Sequence, residues 1–285
     1  MLWYKKQAEA AMRQGEGDDV VVPAELAVKF DRAIAESKLN ALLDQAKDIG
    51  GVEALIGSLK TKCLLFEAAF PASRPVGWVL LPETLETVLG AVFQVRRKLT
   101  AIDAAVGRQG LIDGTVDLVY GTASLHERFL AFVSLMPEEL KKERRAMRDL
   151  AAEILHFRDP EGMPLMTRWV WDEATASGAL REFIRGNDGL PEIPIDNRAE
   201  SFEGARVWFA EMLAEAGFYR DVPMLIDLVH AQAYSDYVKA MSSGLGMIQV
   251  EFGESHHPLE LLMKLLGVDP ATGRGIDKAG EPTLH

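Results

Sequence analysis

The chain has 285 residues, 48% of them hydrophobic and 26% charged, which are globular proportions that exclude wholesale disorder and fibrous classes. A formal net charge of −12 argues against a broad nucleic-acid surface, because such surfaces gain affinity from clustered Lys and Arg. The single cysteine, Cys63, excludes an intrachain disulfide and a Cys-rich zinc site and points to a reducing, cytoplasmic setting; its apolar neighbours in LKTKCLLFEAAF predict a buried structural thiol.

The opening stretch, MLWYKKQAEAAMRQ, lacks the apolar run and cleavage site of a secretory signal, and residues 1–19 read as a short helix with a polar break, GEGDD. Pro23 is expected to start a helix carrying Leu26, Phe30, Ile34 and Leu39 to Leu43, ending at Gly50-Gly51. A second helix is expected from Val52 to Phe70, closed by Pro71. Pro82 opens a third, with Glu83 and Glu86 in its first turns, Leu85, Val88, Leu89, Val92 and Leu99 along its stripe, and Arg96, Arg97 and Lys98 at its far end. Acid first and base last complements the helix dipole. GWVLLPETLETVLGAVFQVRR is also the most membrane-like segment, but Pro82, Glu83 and Glu86 keep it short of the roughly 20 apolar residues a span requires, so a soluble protein is expected.

Further helices are expected from Thr115 to Met136 and from Pro137 to about Phe157, packed as an antiparallel pair across their short link. The basic run KKERRAMR, Lys141 to Arg148, is interrupted by Glu143 and reads as a solvated helix face. Between 159 and 197, repeated Pro and Gly mark a connection in which LMTRWVWD alternates like a short strand and EATASGALREFIR suggests a short helix. Asn197 and Glu200 resemble a capping pair for a helix reaching Gly217. DVPMLIDLVHAQAYSDYVKAM follows as a long helix from Asp221 to Ser243, MIQVEF as a second short strand, and HPLELLMKLLG as the last helix before a flexible tail, 269–285. The expected fold is mainly α, a multi-helix bundle of about eight or nine helices with at most one small two-stranded β element. Its parts would be an N-terminal bundle, 20–158, the connection 159–197, and a C-terminal helical part, 198–268, packed on the first.

One chemical pattern stands out. Glu153-x-x-His156 and Asp227-x-x-His230 both place an acid and a histidine one helical turn apart, and Glu127 and Glu203 precede them as lone carboxylates. Ferritin-like di-metal bundles use that inventory to hold iron or manganese, although they carry Glu where this chain has Asp227. Chance alone gives about one acidic-x-x-His match for six histidines and 43 acidic residues, and three are present, so the excess is weak. Glu153, His156 and Asp149 fall together off the stripe formed by Leu150, Ile154 and Phe157, which reads as a wet face. Asp227 and His230 lie in an apolar run and are expected to be buried, most simply as a structural pair in which His230 answers Asp227.

Arg168, Trp169 and Trp171, with Tyr234 on the long helix, are candidates for a partner or ligand contact, since aromatic residues and Arg are enriched at interface hot spots. No P-loop, dinucleotide fingerprint, nucleophile elbow or His-Glu-x-x-His motif occurs. The leading expectation is therefore an acidic helical protein acting through a protein partner or homo-oligomer, with no cofactor required. The alternatives are a di-iron or di-manganese oxidoreductase and a pocket for a small apolar ligand.

Overall fold

The computed structural model describes residues 19–186, 192–245 and 259–268. Among them it has twelve α-helices, nine of seven residues or more, and only isolated β-bridges, so the fold is mainly α. No described helix is long and apolar enough to cross a membrane. One contiguous apolar core runs from Phe30 to Val268.

The first helix, α1 (Arg32–Ala46), begins nine residues later than Pro23 suggests. Asp31 caps it by accepting the amide protons of Ala33 at 2.9 Å and Ile34 at 3.3 Å. The preceding segment is extended because other parts of the chain take its backbone hydrogen bonds. The Ala24 N–H donates to the Glu200 carbonyl, Asp31 N–H to Phe183, and Arg185 N–H to Lys29. Phe30 is buried as expected, but against Trp208 and Phe209 at 5.1 and 5.7 Å, not on a helix stripe.

The second helix, α2 (Val52–Ala69), matches the sequence reading. The third is divided into α3 (Pro82–Ala91), α4 (Phe93–Arg96) and α5 (Leu99–Val106), with Val92 in an extended conformation at the first break. The bend lets Val92 and Val95 both be fully buried, and Arg96 Nε donates to the freed Gly90 carbonyl at 3.0 Å. The helix expected over Thr115 to Met136 is likewise two, α6 (Arg108–Tyr120) and α7 (Leu125–Ser134).

The central element is α8 (Lys141–Arg158), which packs against α2, α4, α6 and α7. From Ala146 to Phe157 every residue except Arg148 is buried. The wet face expected at Asp149, Glu153 and His156 is therefore interior: an amphipathic pattern locates solvent only when a helix has a solvent side, and here neighbours cover the polar stripe too.

The strand expected in LMTRWVWD is absent; Val170 and Trp171 both donate to the Thr167 carbonyl, making a turn. Residues on both sides of the alternation are buried, so period two carries no inside and outside. The chain reverses between Asp172 and Ser177 and comes back through Gly178 (φ +124) into α9 (Ala179–Phe183). Ala179 N–H then donates to the Trp169 carbonyl at 2.8 Å, and a Cβ on Gly178 would lie 2.6 Å from the Val170 oxygen, so glycine is required for the return.

The remaining helices are α10 (Ala199–Glu215), α11 (Val222–Leu245) and α12 (Glu260–Leu265). Arg198, not Asn197, stands at the α10 N-cap; Asn197 Oδ1 instead accepts from Arg148 at 2.7 Å and from the Glu173 amide at 3.1 Å. The expected strand MIQVEF, the N-terminal helix and the tail lie outside the described residues.

Candidate functional site

Three carboxyl and imidazole groups line one side of α8, and each finds a different long-range partner. Glu153, 1% exposed, accepts from Lys62 Nζ of α2 at 2.5 Å. Burial pushes its carboxyl above the usual range, opposed by Lys62 and, more weakly, His156 and Arg96. Lys62, fully buried, also donates to the Leu266 carbonyl at 2.7 Å and sits 3.9 Å from the Phe157 ring centroid.

His156 bridges two acceptors. Its Nδ1 is 2.8 Å from the Met163 carbonyl and its Nε2 is 2.8 Å from Asp227 Oδ2 on α11. Since a carbonyl can only accept, Nδ1 carries a hydrogen, and Nε2 is the ring nitrogen that faces the carboxylate. The partner of Asp227 is therefore His156, not His230 as the local spacing suggests.

His230 packs edge-on to Phe209, with ring centroids 4.6 Å apart, and its Nε2 has no partner among the described residues. Burial depresses its pKa to about 4, with Asp227 pulling the other way, so the ring is neutral at pH 7. His230 and Asp227 border a cavity of about 10 Å³, room for one water-sized group and no organic ligand.

The six residues of the di-metal pattern do not converge. Glu127 is exposed in the Ser124 capping box at the start of α7, and the Ser124 hydroxyl and amide hold its carboxyl below the usual range. Glu203 lies 2.7 Å from Arg206, and Glu153 is held by Lys62. Among the described residues no group of three or more His, Cys, Asp or Glu side chains is arranged to hold a metal ion. Cys63 is half-buried beside Lys62, and burial drives its thiol up to about 12, the state of an unreactive structural cysteine.

A different site appears where α8 begins. The end of α4, the first turns of α8, the turn at Trp169, α11 and α12 enclose a cleft of about 330 Å³. Five cations line it: Arg97, Lys98, Lys142, Arg145 and Arg168. The one acid among its lining residues is Asp149, whose carboxyl burial pushes up to about 7 while it accepts the Arg168 amide proton at 2.7 Å. Arg168 is anchored on Asp172 through Nε and Nη2 at 3.0 and 2.7 Å, and Lys98 lies 3.7 Å from Glu143. Lys142 and Arg145 are exposed and form no salt bridge with a described residue.

No family model, curated protein or solved structure matches this chain.

Three of the four residues singled out as contacts, Arg168, Trp169 and Tyr234, line this cleft. Trp171 does not: it is fully buried and donates its indole N–H to the Ile195 carbonyl at 2.9 Å. Sequence reasoning missed Arg97, Lys98, Lys142, Arg145 and Asp149. A signal was available, because Lys141, Lys142, Arg144 and Arg145 crowd the N-terminal turns of α8, where the dipole favours acids.

Proposed function

We propose that the protein binds a small organic anion in the cleft between α4, the start of α8 and the Trp169 turn. The observation that carries this reading is the gathering of five cations around one ligand-sized space in a chain whose net charge is −12. A volume of about 330 Å³ falls at the low end of the roughly 300–1,000 Å³ typical of small-molecule sites. The cationic lining supports an anionic ligand over the small apolar one that the sequence offered as an alternative. Thermal unfolding should rise with millimolar citrate or pyrophosphate above an ionic-strength-matched NaCl control, and the Lys142→Glu/Arg145→Glu double variant should lose the gain. Equal stabilisation by NaCl would refute the reading.

Contact with a protein partner or a second copy of the chain is a second reading, favoured by the loop between α2 and α3, where Val76, Val79 and Leu81 are 107%, 64% and 46% exposed. Light scattering on the full chain, with and without Val76→Ser/Val79→Ser, tests self-association: a concentration-dependent mass lost in the variant supports it, and a monomer up to ~100 μM removes it.

A further inference from the structure

Building on the anion-binding reading, we infer that the ligand is a phosphate ester of a planar ring, of mononucleotide size. Its phosphate would lie at Lys142 and Arg145 and its ring against Trp169. Lys142 and Arg145 are three residues apart on α8 and share a face, so both can reach one phosphate. The N-terminus of this 18-residue helix has no side-chain cap, and its first turn adds the positive end of the dipole to those two charges. Placing cations there runs against helix preference, and such local conflicts concentrate where function requires them.

Part of the lining is aromatic. Trp169 and Tyr234 supply it, with ring centroids 6.2 Å apart at 48°, and Phe93 adds a third ring. Trp169 is 5% exposed, yet its indole N–H is buried without an acceptor among the described residues. A buried donor left unpaired is destabilising, and a ring nitrogen or carbonyl oxygen of the ligand would satisfy it. Inorganic phosphate would use the cations and leave both this donor and the aromatic lining unmatched; an uncharged ring compound would leave the cations unmatched.

Isothermal titration of the full chain against the adenosine, guanosine, cytidine and uridine 5′-monophosphates, adenosine, phosphate and pyrophosphate tests this. At least one nucleotide should bind about tenfold or more tighter than adenosine and than phosphate. Lys142→Glu/Arg145→Glu, at exposed positions, should weaken it by about tenfold or more, and Trp169→Phe by about fivefold while leaving phosphate binding unchanged. If phosphate or pyrophosphate binds as tightly as every nucleotide, or only citrate and similar acids bind, the ring component is overturned and the anion site stands. If no anion binds, or binding ignores the charge reversals, both proposals fall.

Discussion

Lys62 and Glu153 are both less than 2% exposed and form an ion pair at 2.5 Å. Removing one leaves the other buried, which typically costs about 3–5 kcal/mol, whereas replacing both by apolar groups is often near neutral. Lys62→Met should therefore lower urea-unfolding stability by about 3–5 kcal/mol, and Lys62→Met/Glu153→Leu should regain most of it. A loss under about 1 kcal/mol in the single variant would contradict the pairing. His230 makes a pH prediction. An unfolded histidine protonates as pH falls through its ordinary value of 6.5, while the folded ring resists until about 4. The unfolded state thus binds more protons in that window, so stability declines as pH drops from 6.5 and the loss is complete below about 4. Comparing His230→Gln with the parent by thermal unfolding from pH 7 to 4 should show a shallower acid decline in the variant.

Among the elements, α12 depends on its surroundings, since six residues cannot sustain a helix alone. It is held by Lys62 at the Leu266 carbonyl and by the tight approach of Gly267 (φ +66), where a Cβ would lie 2.1 Å from the Ala91 oxygen and 2.8 Å from Lys62 Nζ. Gly267→Ala should release this docking, at about 1–3 kcal/mol of strain plus the clash. Hydrogen exchange would then rise over 259–268 while α8 stays protected; unchanged exchange there would refute the docking role. Because Leu265 lines the cleft, the same variant should also weaken anion binding. Elements with clear end signals, α2 and α11, were legible in the sequence. The single helix read from Pro82 onward was not, because Gly90, two residues before the break at Val92, is an ambiguous signal inside a helical pattern, and the break buries two valines at once.

For the whole molecule, the charge distribution matters more than the total. A net −12 repels anions in general, so an anion that binds must do so where the cations gather, and its affinity should fall steeply between 50 and 300 mM salt, ranges over which the screening length drops from about 14 to 6 Å. In Lys142→Glu/Arg145→Glu that salt dependence should flatten; a slope that is the same in both proteins would place the charges elsewhere. Helix content, the interior position of Asp227 and His230, and the lack of a membrane-crossing helix among the described residues follow from composition and periodicity, because these report local preference and average burial. The sequence also shows that Asp149, Glu153 and His156 share a face of α8. Only the tertiary structure decided that this face is interior, that His156 rather than His230 answers Asp227, and that a basic run resembling solvated surface forms one wall of a cleft with Trp169. The physical reason is the same in each case: a buried polar group is satisfied by whatever packing brings within about 3 Å. Here the partners stand 71 residues away for His156 and 91 for Glu153, beyond the reach of any local pattern.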